Sequence, residues 1–244
     1  MSPKLKFSFI YLFIALSILI LAIILIRHLW YPYPLLQAAG IQNLLMIIVL
    51  VNIGLAFGLA ITIFRKNKPD FVKDIAISML IQLLFLLVSI YGVYKIKPVW
   101  IAYNVDRFEL ILNTDLVNTN AHSTNKFFKT PSYFSPQYVG VDFSKDNEER
   151  KNNMFDEILQ GISIAQRPER YIPFEQVSTK IKDRAQDLEL LENYNNKDDV
   201  QYLLSKYPKA DSFVPLQAKS IDMTVLLDKE ADNQVLAIVD LRPW

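Results

Sequence analysis

FSFIYLFIALSILILAIILI, residues 7–26, runs for 20 positions without a charged side chain. LLMIIVLVNIGLAFGLAITIF, residues 44–64, repeats the pattern over 21 positions, and IAISMLIQLLFLLVSIYGVY, residues 75–94, over 20. At about 1.5 Å of rise per helical residue, each stretch spans a hydrocarbon core of roughly 30 Å. Lipid gives backbone N–H and C=O groups no partner, so runs of this kind are helices or lie inside a very large core. A chain of 244 residues has no such core to offer. The first run follows Lys4 and Lys6 as a signal peptide would, but it is too long, and Arg27-His28-Leu29-Trp30 provides no small-residue cleavage site. It reads as a retained anchor.

Charge divides the chain in the same place. Residues 1–100 carry nine basic and two acidic groups, residues 101–244 carry 17 and 23, and the formal net charge of +1 conceals the contrast. Arg65, Lys66, Lys68 and Lys73 crowd the connection between the second and third runs, whereas 27–43 holds only Arg27. Basic loops stay in the cytoplasm, which places the amino terminus inside and everything after Tyr94 outside. Trp30, Tyr31, Tyr33, Tyr91, Tyr94 and Trp100 then fall at the outer interface, where aromatic residues concentrate, and only Lys95 and Lys97 oppose this orientation. The fold class expected is three transmembrane helices in residues 1–95 followed by an α+β extracytoplasmic domain in 96–244.

Gly54, Gly58 and Thr62 recur every fourth position and present small residues on one helix face; Ser78, Gln82 and Ser89 share a face of the third helix. These faces are expected to hold the three helices together, with a groove for a partner as the alternative. No Asp, Glu, Lys or Arg lies within a span, which argues against a proton relay or ion pathway and hence against a transporter.

Beyond the spans, Val99, Ile101, Tyr103 and Val105 alternate with Trp100, Ala102 and Asn104, and Phe108–Leu112 continues in β-prone residues. One extended strand with an irregularity near Asp106 is expected. Residues 113–146 read as a long loop whose Phe127, Phe128, Tyr133 and Phe134 are candidate contact residues. Helical spacing marks Met154–Ile162 and again Phe174–Leu191, and a short helix around Val200–Tyr207 begins at Asp198-Asp199 and stops at Pro208. Ile221–Leu227 and Val235–Leu241 form a hairpin about a charged turn at 228–233. A small antiparallel sheet with helices on one face follows from this order of elements.

Catalytic arrangements are lacking. The chain has no cysteine, no phosphate-cradling glycine loop, no His-Glu-x-x-His and no Gly-x-Ser-x-Gly. His28 and His122 stand far apart without further ligands, and each reads as an ordinary interface or surface residue. Glu148-Glu149, Asp156-Glu157 and Asp198-Asp199 read as solvated helix faces, and Asp106-Arg107 as a local ion pair or turn. We expect no enzyme, no metal and no cofactor. An acidic outer domain also makes nucleic acid an unsuitable partner.

Several segments taken in order resemble a known family. They are Gly58-Leu-Ala-Ile-Thr62, Lys73-Asp74-Ile75-Ala76 leading to Gln82, Tyr91-Gly92-Val93-Tyr94, Lys97-Pro98-Val99, Asp106-Arg107-Phe108, Val214-Pro215-Leu216, Asp222-Met223-Thr224-Val225-Leu226 and Asp240-Leu241-Arg242-Pro243-Trp244. The series resembles the type IV pilin accessory proteins, small inner-membrane proteins described as pilin-specific chaperones. Leu59 stands where that pattern has proline, and 113–212 matches only loosely. The resemblance implies a bacterial inner-membrane protein with a cytoplasmic amino terminus and a periplasmic domain. Its partners would be the type IV major pilin, membrane lipid and further pilus-assembly proteins, and its role would be pilus assembly and, through it, twitching motility. Gly54, Gly58, Thr62 and Gln82 would form or support the intramembrane contact, while 127–138 or the closing hairpin would meet the pilin head. The alternatives are a membrane-anchored pilin-modifying glycosyl- or phospho-transferase and a structural subunit of an envelope complex.

Overall fold

The computed structural model describes residues 3–63, 70–117, 125–144, 146–231 and 234–244. Arg65, Lys66, Lys68 and His122 lie outside the described residues. The chain divides into two compact units, the first comprising 1–30 and 41–96, the second 31–40 and 97–244. The connector between the first two apolar helices, 31–40, groups with the second unit.

The first unit is α1 (Pro3–Leu29), α3 (Gln42–Ile63) and α4 (Phe71–Lys95), three helices long and apolar enough to cross a membrane. Between the first two, the one-turn α2 (Leu35–Ala38) belongs to the second unit. α3 lies between α1 and α4 and packs on both, whereas α1 and α4 touch each other sparsely. Tyr11 of α1 rests on Ala56 and Ala60 of α3, with Phe7, Ala15 and Leu59 around them. Ala56 and Ala60, four positions apart, are the small residues that let α1 approach. Gly54, Gly58 and Thr62, expected to form that seam, point elsewhere. They are exposed, and a Cβ added at either glycine would meet no heavy atom within 4 Å. At 100° per residue, Gly54 lies about 160° around α3 from the buried Asn52, which explains the difference. With Leu59 in place of proline, α3 runs unbroken through this stretch.

The second unit is a mixed eight-stranded sheet, not an antiparallel one. β1 (Pro98–Asn104) and β2 (Arg107–Leu112) are an antiparallel hairpin rather than one strand. Asp106 N–H closes the turn on Asn104 O at 2.7 Å, and the intervening Val105 has φ +58°. That conformation crowds a β-branched side chain, and Val105 is exposed, so packing gives nothing back. β3 (Gln137–Val141), within the expected loop, lies parallel to β1, and its Gly140 is required because a Cβ would come 2.5 Å from Val177 Cγ1. α5 (Asn147–Gln160) and β4 (Tyr171–Ile172) follow, β4 antiparallel to β3.

The expected helix 174–191 is broken into α6 (Ser178–Arg184), β5 (Gln186–Asp187) and short 3-10 turns, because Gln186 and Asp187 pair with the next strand. α7 (Lys197–Ser205) is the short helix expected near Val200, its Asn196 side chain accepting the Asp198 N–H at 2.8 Å. β6 (Ser212–Gln217), β7 (Met223–Asp228) and β8 (Gln234–Val239) complete the order β4-β3-β1-β2-β6-β7-β8, with β5 beside β6. Pro215 sits in β6 where one flank passes from β5, paired at 212–213, to β2, paired at 216–217, so its missing N–H breaks no ladder there.

Trp100, Val139, Val141, Ile164 and Tyr171 centre one core; Leu191, Phe213, Leu226, Val239 and Leu241 centre another. The connector joins this unit through buried Tyr31, Leu35 and Ala38. Gly40, at φ +74°, comes so close to Ser220 that a Cβ would lie 2.7 Å from the serine Cβ.

Burial, reinforced by Asp106, pushes the Tyr103 hydroxyl up to about 12, and burial does the same to Tyr138. The unfolded chain releases these protons near 10.0 while the fold retains them, so stability is complete below that pH and is lost as pH rises towards 12. Alkaline titration of tyrosinate absorbance is expected to show a late class of tyrosines ionising together with loss of near-ultraviolet circular dichroism. At the β1–β2 turn, Val105→Asn is expected to stabilise the unit by about 1 kcal/mol in denaturant titration by relieving the positive φ.

Candidate functional site

Within the first unit most polar side chains are satisfied locally. Ser17, Thr62, Ser78 and Ser89 donate their hydroxyls to carbonyls three or four residues back on their own helices. Asn52 does likewise to Ile48 O at 2.8 Å. Gln82 reaches from α4 to α3, its Nε2 donating to Asn52 O at 3.3 Å, with Asn52 Oδ1 at 3.5 Å. This polar bridge lies at the floor of a cleft of ≈170 Å³ between α1 and α4, whose walls include Tyr11, Ile18, Leu19, Met79 and Leu86. Among the described residues, Gln82 Oε1 and Tyr11 Oη are buried there without a hydrogen-bond partner. The four intramembrane candidates therefore separate, Gln82 into this cleft and Gly54, Gly58 and Thr62 onto an exposed face of α3.

In the second unit the aromatic candidates also separate. Phe127, Tyr133 and Phe134 are exposed, Phe127 at 84 %. Phe128 is half-buried and packs against the core, edge-on to Trp100 and Tyr171 at 6.0 Å between ring centroids. Lys97 holds this segment down. It is buried, and its ammonium donates to Ser132 O at 2.5 Å and Phe134 O at 3.2 Å, while burial lowers its pKa. A lysine engaged in this way is not a free interfacial charge, which removes part of the objection to the orientation drawn from the loops.

α5 carries the largest departure from the sequence reading. Its Glu149 and Asp156, read as parts of solvated helix faces, are committed to ion pairs, while the periodic apolar residues Met154, Phe155, Ile158 and Leu159 are all exposed, Ile158 at 70 % and Leu159 at 76 %. The helix is held by its polar stripe. Glu149 pairs with Arg170 and accepts from Ser144 Oγ at 2.6 Å, Asn153 is buried, and Asp156 binds the buried Arg167 at 2.5 Å. Residues 149, 153 and 156 share one face, so fastening them turns 154, 155, 158 and 159 outward. An apolar helix face turned outward is the usual mark of an interaction surface. Periodicity revealed the stripe but not which side would be buried, because the deciding partners, Arg167 and Arg170, lie beyond the helix.

The remaining motif residues are structural. Phe108 is fully buried against Tyr103, Tyr138 and Phe174, and Asp74 lies in the first turn of α4, where an acid suits the helix dipole. Asp106 and Arg107 approach at 3.7 Å, and Arg107 approaches the buried Glu109 at 3.9 Å. Asp222 accepts the Ala218 N–H at 2.8 Å and the Trp244 indole N–H at 2.9 Å. Arg242 donates to Asp222 O and Asp240, its backbone is held by Asn195, and Pro243 is buried. These contacts clasp 240–244 to the start of β7.

Over nearly its whole length, the chain is similar to fimbrial assembly proteins. The fimbrial assembly protein of serogroup I from Dichelobacter nodosus is 26% identical over 246 residues, covering 96% of this chain and 95% of that protein. Its serogroup E1 counterpart from the same organism is 26% identical over 228 residues, 88% of this chain and 87% of the relative. No family model matches the chain, and no solved structure does. Such coverage takes in both units.

Removing the clasp by Asp222→Ala deletes an acceptor shared by two donors, one of them on a half-exposed tryptophan. A loss of about 2 kcal/mol in the urea unfolding free energy is expected, with Trp244 fluorescence shifting towards that of a solvated indole.

Proposed function

We propose that this chain is an inner-membrane accessory protein of type IV pilus assembly that binds the pilin subunit, holds it in the membrane and keeps it available for polymerisation. The observation carrying this reading is the similarity to fimbrial assembly proteins across both units. Three apolar helices suit a bacterial inner membrane, where spanning proteins are helical. The basic connection between α3 and α4 supports a cytoplasmic amino terminus and a periplasmic second unit. Tyr31–Gly40 folds with 97–244, which supports an even number of crossings between them, as α3 and α4 would make.

A subunit awaiting polymerisation in a membrane has an apolar helix in lipid and a head in water. Two kinds of surface answer to those parts. The first unit offers the Gln82 cleft and the exposed Gly54–Gly58–Thr62 face. The second offers Met154, Phe155, Ile158 and Leu159 on α5, and exposed Phe127, Tyr133 and Phe134. We assign the head contact to the outward face of α5, since an exposed aliphatic and aromatic stripe is chemically suited to burial against another protein. No step of this role forms or breaks a covalent bond, so pilin recovered with the chain is expected to have unaltered mass.

The test is co-purification of the major pilin from membranes with the tagged full chain. The pair Ile158→Lys and Leu159→Glu changes exposed positions only, so unfolding free energy is expected to stay within about 0.5 kcal/mol while pilin recovery falls about tenfold. Normal pilin levels and fibres after deletion of the gene would overturn the assembly role. Intact recovery with the α5 pair would move the head contact elsewhere.

A further inference from the structure

The cleft between α1 and α4 is apolar except at its floor, and the floor is incompletely satisfied. Tyr11, only 4 % exposed, brings to one wall a hydroxyl that has no hydrogen-bond partner among the described residues. Gln82 spends its amide N–H groups on Asn52 and leaves Oε1 buried and unpaired. In water such atoms would be solvated, but within the spans the surroundings are hydrocarbon, and an unpaired polar group there is costly. Ser17, Ser78, Ser89 and Thr62 avoid that cost by bonding to their own helices. Tyr11 and Gln82 do not.

The dimensions limit what completes the site. A space of ≈170 Å³ is close to that of an engineered cavity known to admit one benzene ring, so it takes a single side chain and not a whole helix. The occupant must give a hydrogen to Gln82 Oε1, and Tyr11 Oη can either donate to it or accept from it. Its stem must be apolar to lie along Ile18, Leu19, Met79 and Leu86. We propose that the cleft receives one side chain with an apolar stem and an uncharged hydroxyl or carboxamide tip, projected from the membrane-spanning helix of the bound fibre subunit. This assignment rests on the proposed pilin-holding role and deepens it, because it makes the α1–α4 cleft, rather than the glycine face of α3, the place where the client helix docks. An acyl chain of a phospholipid would fit the walls but would leave both polar atoms unpaired.

The experiment uses the full chain in native membranes together with its fibre subunit. A photoreactive residue at Met79 reports on the cleft, and one at Gly58 reports on the opposite face, where no neighbouring atom would be disturbed. The Met79 probe is expected to crosslink to the apolar helix of the subunit, and the Gly58 probe to lipid. Tyr11→Phe and Gln82→Met keep bulk while removing one polar atom each, and each is expected to lower the Met79 crosslink about threefold to tenfold, the range for one intramembrane hydrogen bond. Met79→Phe, which fills the cleft from a partly exposed position, is expected to reduce co-purification of the subunit similarly. Adducts of Met79 only with lipid or with a second copy of the chain, or crosslinking unchanged in both polar variants, would overturn the cleft assignment. If Gly58 captures the subunit instead, the holding role stands and this inference fails. If neither probe captures the subunit and co-purification is absent, the role itself fails.

Discussion

Hydrocarbon supplies neither donors nor acceptors, and the first unit is organised by that deficit. Its helices gain little by hiding leucine from lipid, since the two are equally apolar, so they associate through close backbone approach and a few polar bridges. Ala56 and Ala60 under Tyr11 supply the first, and the Gln82–Asn52 bridge supplies the second. Because α3 takes α1 and α4 on separate sides, the outer helices diverge and leave a cleft whose floor is that same bridge. One polar pair thus sets which faces of α3 and α4 meet and gives the cleft its chemistry.

The second unit solves the opposite problem. Water is plentiful there, so the sheet buries both faces of its central strands, and the polar cost falls on the helices. α5 accepts it in an inverted way, committing its carboxylates to Arg167 and Arg170 and leaving four apolar side chains outside. Arg167 is buried, so rolling the helix would take Asp156 away from a buried guanidinium, at a cost of about 3–5 kcal/mol. The outward face is therefore enforced by the ion pairs and is not an accident of loose packing.

These arrangements differ in how far the residues announce them. The spans are legible because length and composition alone decide them, and α7 because its cap and its proline stop are local. The β7–β8 hairpin shows through its alternation. β3 and β6 did not, for identifiable reasons. β3 is a five-residue strand in a segment rich in Ser and Pro, and β6 carries Pro215, which normally argues against an internal strand; only the exchange of neighbours from β5 to β2 makes that proline tolerable. The β1–β2 turn was hidden because a valine at positive φ is not a turn residue. Among the candidate residues, the polarity of Gln82 and the aromatic character of Phe127, Tyr133 and Phe134 are readable from residue type, but the rotation of α3 that separates Gly54 from Asn52 and the roll of α5 are tertiary facts.

If the chain holds a subunit that must later be passed on, as proposed, each contact can act only so strongly. An intramembrane hydrogen bond averages only about 0.6 kcal/mol and rarely exceeds about 1.7, since the separated helices also find partners for their polar groups. A cleft that completes two such bonds discriminates a client helix without trapping it. The larger part of the affinity then falls to apolar burial in water, where a stripe such as that on α5 gains about 25 cal/mol per Å² removed from solvent. Dividing the work in this way would let the membrane contact select by chemistry and the aqueous contact supply strength. Under the proposed role, release would need only the aqueous contact to be displaced, because two intramembrane hydrogen bonds of that size would not retain the subunit by themselves.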